Sequence, residues 1–534
     1  MKKLLSILLI LFLLTGCSDL PAEVPTPLPS EQSQSIMNEP DIQTGITESV
    51  GETEAVCPGH VDDDANTICD LCGNTVFVLI DLYTINDLHG KIFDTDTNIG
   101  VDEMTTYFQT AQQTQENVLL LSAGDMWQGS AESNMTRGKL VTDWMNQVGF
   151  AATALGNHEF DWGQEDIREN DEFAQFPFLA INIYDRNTNQ RASYCDSSVI
   201  VECDGVQVGI IGAIGDCYSS IAKERRSGVY FKTGQELTRL VMAESENLRD
   251  QGADFIIYLL HDGLGQGFPN GTTNVAGGML SSYYDTALSN GYIDLVYEGH
   301  THQSYVLVDE YGVYHLQCGG DNNGGFSHTL VEINSVSGEY GVITAELITQ
   351  SEYKDMEDAP LIGELMTSYQ NEIGYAFDQV GTISKSQPGN VMRQLVADLY
   401  YMAGIEKWGS DYDIVLGGGF ISIRNPGYLA KGDVTYAQLQ ELFPFDNELV
   451  LCSIRGRDLI QRFFRSDNSN YFISFGSYGE ELQHQVDPDA IYYIVTDTYS
   501  STYSPNNLTE IERYGADIYA RHLVADYIRN GGLS

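Results

Sequence analysis

The chain has 534 residues and a formal net charge of −49, from 76 acidic against 27 basic side chains. That length gives two or three domains, each able to bury a core. That charge leaves no basic patch for a phosphate backbone, so a nucleic-acid polymer is not an expected partner. Repulsion of small anions is screened beyond about 8–10 Å at physiological salt, and bound cations reverse it locally.

In chain order, Met1-Lys2-Lys3 is a short basic start and residues 4–14 are an apolar run interrupted only by Ser6. As a helix that run rises roughly 16 Å, too little for about 30 Å of hydrocarbon, so residues 1–17 read as an export signal. Leu14-Thr15-Gly16-Cys17 resembles a bacterial lipoprotein cleavage site, with Cys17 the residue that receives lipid. The expectation is an exported protein, lipid-anchored at the outer face of a bacterial cell membrane. Residues 18–55, rich in Pro, Ser, Thr, Glu and Gln, read as a flexible linker. Residues 56–74 contain Cys57, His60, Cys69 and Cys72, four zinc-competent ligands in a segment too small to fold alone. A structural zinc is the favoured reading; calcium on the Asp-rich stretch and a simple disulfide are the alternatives.

From residue 75 to 350 apolar strand-like runs (76–85, 118–122, 151–155, 206–214, 255–260 and 293–297) alternate with helix-length segments such as 235–251. This predicts an α/β layered domain. Each of five runs is followed by a short polar segment: Asp87-Leu88-His89, Gly124-Asp125, Gly156-Asn157-His158-Glu159, His261-Asp262 and Gly299-His300-Thr301-His302. Ligands of open α/β sheets bind beyond the carboxyl ends of the strands, and Asp, Asn and His without Cys suit a pair of divalent ions such as Zn, Mn, Fe, Co or Ni rather than a thiolate-selective metal. Cys195 and Cys203 flank a predicted turn and are candidates for a disulfide, whereas Cys217, Cys318 and Cys452 have no evident partner. A connecting helix is expected over 351–376. Residues 377–534, with strands at 414–416, 449–454 and 492–496 and helices at 391–403 and 507–529, predict a separate α+β domain.

The order and spacing of Ile85-Asn86-Asp87-Leu88-His89-Gly90, Ser122-Ala123-Gly124-Asp125, Ala154-Leu155-Gly156-Asn157-His158-Glu159-Phe160-Asp161 and Gly299-His300-Thr301-His302 resemble the calcineurin-like metallophosphoesterases, and more closely the secreted 5'-nucleotidases. The resemblance implies a layered β-sandwich with flanking helices. It implies one metal held by Asp87, His89 and His302, another by Asn157, His261 and His300, and Asp125 bridging the two. His158 would face the leaving group or phosphate oxygens as an acid or electrostatic stabiliser, and Asp161 would fix its tautomer.

The C-terminal part resembles the nucleotide-binding domain of that family through Gly417-Gly418-Gly419, Phe443-Pro444-Phe445-Asp446-Asn447 and Ile494-Val495-Thr496-Asp497-Thr498-Tyr499. By that resemblance Phe445 and Tyr499 sandwich the base and Asn447 bonds to it. Two departures stand out. The family's Ile-Arg after the three glycines is replaced by Phe420-Ile421, leaving Arg424 and Arg393 as candidate phosphate-binding cations. The Gly-Gly-Asp-Gly run after the second aromatic is absent, and with it the acidic residue that holds the ribose. The expected activity is release of phosphate from extracellular nucleotides with two metals. A 2',3'-cyclic nucleotide phosphodiesterase or a nucleotide-sugar or dinucleotide hydrolase is the enzyme alternative, and a surface binding protein on a phosphatase scaffold is the non-enzyme one.

Overall fold

The computed structural model describes residue 68 and residues 76–94, 99–264, 272–273, 284–320, 325–424, 427–464, 471–502, 507–515 and 518–533. Cys17, Cys57, His60, Cys69 and Cys72, and the linker, lie outside the described residues. The described residues belong to one compact unit.

The N-terminal part of that unit is built on two sheets. One has six strands in the order Tyr340–Ile348, Phe326–Asn334, Phe77–Ile85, Val118–Ser122, Phe150–Ala154, Phe178–Leu179. The other has seven, in the order Thr272–Thr273, Ser304–Val308, Tyr314–Cys318, Leu295–Glu298, Phe255–His261, Val206–Ile214, Ser198–Cys203. Side chains alternate across a strand, and Phe77–Ile85 shows the consequence. Val78, Ile80 and Leu82 enter a core shared with Val208, Ile210, Ile257 and Leu259 of the other sheet. Tyr83 and Ile85 belong instead to a helix-covered core with Phe108, Leu140 and Trp144. The outer face of the seven-stranded sheet is covered by the helix Gln235–Asp250 through Leu237, Val241 and Leu248. The result is helix, sheet, sheet, helix, in agreement with the layered α/β reading.

The central strands of both sheets run parallel: Phe77–Ile85 with Val118–Ser122, that with Phe150–Ala154, and Val206–Ile214 with Phe255–His261 and then Leu295–Glu298. Parallel strands point their carboxyl ends the same way, so five loops emerge together. The five polar segments are those loops.

The C-terminal part has a five-stranded sheet, Tyr471–Ser474, Ile414–Phe420, Ile491–Asp497, Leu449–Arg455, Thr509–Arg513. The helix Gly389–Trp408 packs on one face with Met392, Val396 and Tyr400 in a core of its own, and Val415, Cys452 and Ile494 face a second core. A small cluster of Ala131, Ala376 and Ala437 sits between the two parts.

Two expectations are corrected. The helix expected over 507–529 is a strand, Thr509–Arg513, followed by the helix Ala520–Arg529. Leu449–Arg455 offers an open edge, and pairing with it overrides local helical preference. Cys195 and Cys203 are free thiols. The segment leading into Cys203 is not a turn but the extended strand Ser198–Cys203, whose ends lie roughly 16 Å apart at 3.2–3.4 Å per residue. A bridge needs Cα atoms within about 7 Å. Cys195 lies in the helix-covered core and Cys203 in the inter-sheet core.

Candidate metal centre and substrate cleft

The strand ends bring the predicted ligands into one cluster. Asp87, His89 and His302 form one group whose ligand atoms all lie within 4.8 Å of one another, and Asp87, Asp125 and His261 form another. Asp87, His89, Asp125, Asn157 and His261 are buried, while His300 and His302 are half-buried at the mouth. Backbone conformation aims them. Asp87, His89, Asp125, His300 and His302 all have φ between 50° and 68°, the left-handed region that residues with a Cβ rarely enter. Such positions cost of order 1–3 kcal/mol each and persist where the surroundings enforce them.

Hydrogen bonds then fix each ring. His89 Nδ1 donates to Gln128 O at 2.7 Å and His261 Nδ1 to Ala123 O at 2.8 Å. Both rings therefore present Nε2 to the cluster, the arrangement by which a carbonyl sets the tautomer of a ligand His. Asp87 Oδ2 accepts from His300 N at 2.9 Å and from the Asn86 amide at 2.6 Å. Asp125 Oδ1 accepts from His158 N at 2.7 Å. Gly124 and Gly156 complete the cradle. A Cβ on Gly124 would meet His261 Nδ1 at 2.8 Å, and one on Gly156 would collide with the Asp125 carboxylate.

What remains unsatisfied identifies what the cluster is built for. Asp87 Oδ1, Asn157 Oδ1 and His261 Nε2 are buried with no hydrogen-bond partner, a costly condition for polar atoms. His261 Nε2 faces Asp125 Oδ2 at 3.1 Å, and His89 Nε2 faces His302 Nε2 at 3.1 Å. Burial disfavours a charged His261, yet the Asp125 and Asp87 carboxylates outweigh it and push the ring up to about 10. Burial and neighbouring His261 depress His300 to about 4, so it stays a neutral donor. An N/O donor set with orphaned, converging lone pairs fits divalent metal ions.

Around this centre opens a cleft of about 470 Å³, lined on one side by Asp125, Asn157, His158, Asp161, Trp162 and Arg225. Arg424, Phe445, Asn447 and Tyr499 of the C-terminal part line the other side, joined by Phe420 and Asp497. His158 Nδ1 bonds to Asp161 Oδ2 at 2.6 Å, and its Nε2 accepts from Arg424 at 2.9 Å. Burial would lower its pKa, but Asp161 and Asp125 prevail and raise it. The Arg424 guanidinium also lies 5.4 Å from the centroid of the Phe445 ring, which stacks on His158 at 6.4 Å. Tyr499 packs against Phe420 at 5.7 Å. Arg393 is turned elsewhere: it donates to Ile421 O at 3.1 Å and covers Phe472, outside the cleft lining.

Four residues had no role in the sequence reading. Buried Glu159 accepts from Gly156 N (2.6 Å), Met126 N (2.8 Å) and Asp125 N (3.1 Å), tying two strand-end loops together. Its only signal was an acidic residue directly after Asn157-His158. Phe420 stood where the family pattern fails, and its ring lines the cleft. Gln128 is recognisable only through its carbonyl bond to His89. Cys217 also reaches the cluster: its sulfur groups with His261 and His300, the three ligand atoms lying within 4.8 Å of one another.

Comparison with known proteins agrees with this picture. Residues 81–304 match the calcineurin-like phosphoesterase family. Protein UshA of Yersinia enterocolitica is 26% identical over 385 residues, 64% of this chain and 67% of that protein. A 5'-nucleotidase of Vibrio cholerae is 25% identical over 391 residues, 64% of this chain and 66% of its own length. These matches span about two thirds of each relative. The crystal structure of a 5'-nucleotidase precursor from Thermus thermophilus shares the fold, with a TM-score of 0.60 at 19% identity, covering 85% of this chain and 96% of that one. The calcineurin-like fold implies a dinuclear divalent metal site, and the Asp and His groups that such a site requires are present.

Proposed function

We infer the function from one premise: the chain belongs to the 5'-nucleotidase family and is a metal-dependent phosphoester hydrolase. Its activity is release of phosphate from nucleotides. The observation that carries this reading is the bridge across the cleft. Arg424 and Phe445 reach His158 beside the ligand cluster, so a phosphate at that cluster and an aromatic base beside Phe445 fit a single molecule.

In this proposal Asp87, His89 and His302 hold one metal, Asn157, His261 and His300 the other, and Asp125 is shared. Zn, Mn, Fe, Co and Ni all suit the donors. When bound, the pair orients phosphoryl oxygens and supplies hydroxide near neutral pH for in-line attack. The chain's own residues do the rest. Arg424 moves from His158 to the substrate phosphate and neutralises it with a planar fork of donors. His158, its Nδ1 proton held by Asp161, takes up a second proton from solvent at Nε2 once Arg424 has left it, in keeping with its raised pKa, and donates it toward the leaving oxygen as charge develops there. Phe445 and Tyr499 hold the base by stacking, and Asn447 bonds to its edge. Arg393 keeps Ile421 in place rather than binding phosphate.

Export and lipid attachment at Cys17 belong to the same proposal and rest on the N-terminal sequence. Among the described residues no helix is long and apolar enough to cross a membrane. A structural zinc on Cys57, His60, Cys69 and Cys72 rests likewise on ligand spacing. The domain limits of 75–350 and 377–534, joined through 351–376, are retained as working boundaries.

The test is phosphate release from AMP, UMP, a 2',3'-cyclic nucleotide, UDP-glucose and p-nitrophenyl phosphate, before and after chelation and metal restoration. Chelator-sensitive release from the monophosphates is expected. Preference for the cyclic nucleotide or UDP-glucose would transfer the assignment to those diesters, and no hydrolysis of any substrate would overturn it.

A further inference from the structure

The two metal positions just proposed are not balanced in charge. The first has a carboxylate of its own, Asp87, and a share of Asp125. The second has only the share of Asp125, with neutral Asn157, His261 and His300. Two dications carry four positive charges against two carboxylates, and the deficit falls on the second position.

A sixth strand end meets the cluster at that position. The strand Val206–Ile214 lies beside Phe255–His261 in parallel, and its carboxyl end continues as Gly215-Asp216-Cys217. Gly215 N donates to His261 O at 3.0 Å and Asp216 N to Asp262 Oδ2 at 3.2 Å. Gly215 has no room for a Cβ because the Asp262 side chain occupies that space. This close passage delivers the Cys217 thiol, 1% exposed, to His261. Its sulfur lies 3.5 Å from His261 O and joins the ligand atoms of His261 and His300 in a group spanning at most 4.8 Å. The second position also holds a separate sign of a missing ion: Asn157 Oδ1 is buried with no hydrogen-bond partner.

We propose that Cys217 is an additional ligand of the second metal position, supplying the anion which that position lacks. This rests on the two-metal reading above. Without the ion Cys217 is a neutral thiol that donates to His261 O. On binding, the S–H bond breaks, the sulfur pair turns to the ion and the proton leaves to solvent. Thiolate is a soft donor, so it biases the second position toward zinc, cadmium or cobalt over manganese.

The test uses the full chain, stripped and reloaded with cobalt, beside Cys217→Ser and Cys217→Ala proteins carrying the same metal content. Cobalt on the Cys57, Cys69 and Cys72 segment would be common to all three proteins and cancels in difference spectra. The expected result is a thiolate-to-cobalt charge-transfer band present in the parent and lost in both variants. Cadmium affinity relative to manganese should fall about 10-fold or more in the variants, the scale of perturbed metal-site partners. Cadmium NMR of the unmodified protein needs no variant: a resonance typical of one sulfur among nitrogen and oxygen donors is expected. Identical cobalt spectra with two ions bound would overturn the Cys217 assignment and leave the hydrolase reading intact. Failure of the parent to bind cobalt or cadmium at all would overturn both.

Discussion

His158 is held from opposite sides, by Asp161 at Nδ1 and by Arg424 at Nε2. The first bond comes from three residues along the same loop, and the second arrives from a different part of the chain. His158→Ala should therefore lower turnover of AMP by about 10²–10⁴-fold, the usual range for a positioned acid, while metal content stays near that of the parent. Loss of metal on the same substitution would make His158 a ligand. Phe445 is separable from the metal centre because it meets the substrate only through a base. Stacking is worth about 1–3 kcal/mol per base, so Phe445→Ala should raise KM for AMP roughly 10-fold or more and leave p-nitrophenyl phosphate nearly unchanged. Equal losses on both substrates would count against stacking.

At the scale of elements, the ligand-bearing strand ends were readable because long apolar runs such as 206–214 and 255–260 permit little besides buried strands. The polar residues after them then had one place to go. Residues whose role depends on approach from elsewhere were not readable. Glu159 acts on the loop of Asp125, and Cys217 meets His261 only because two strands run parallel. The strand Thr509–Arg513 reads as helix in the sequence because nothing local announces the open edge of Leu449–Arg455. Cys195 and Cys203 are close in sequence, but the strand Ser198–Cys203 carries the second thiol into a different core.

One contact between elements carries a pH dependence. Glu132, on the helix Ala131–Thr136, is 2% exposed beside the helix Tyr436–Leu442, and its Oε1 has no partner. Burial, with the nearby Glu441 carboxyl adding to it, pushes Glu132 up to about 7; its own backbone and Ser130 bond to it and act the other way. A carboxyl whose folded pKa is raised binds its proton more tightly in the folded state. Its contribution is therefore full below about 4.5, its unfolded value, and declines as pH rises toward 7. The loss amounts to about 3 kcal/mol, from a difference of about 2.5 pKa units at 1.36 kcal/mol each. Glu132→Gln should thus melt higher than the parent at pH 8 and nearly equal it at pH 4.5. A melting difference independent of pH would contradict this account.

Across the whole molecule, left-handed backbone at non-glycine residues gathers in one place. Five of the ten described non-glycine residues with positive φ are proposed metal ligands, and the orphaned polar atoms of Asp87, Asn157 and His261 lie among them. The rest of the fold maintains this arrangement: parallel sheets fix where the loops emerge, and the C-terminal part closes the cleft with Arg424 and Phe445. Anything that binds the folded state alone stabilises it, by about 2.7 kcal/mol at a hundredfold excess over Kd. Chelation should therefore lower Tm, and metal should restore it.

The most direct test of the central claim is to strip the protein with a chelator and follow phosphate release from AMP while Mn or Zn is titrated back. The account predicts no release from the stripped protein, and activity that returns as ions fill the Asp87–Asp125–His261 centre, reaching its plateau once both of its positions are occupied. Release that survives complete stripping, or that no divalent ion restores, would contradict it.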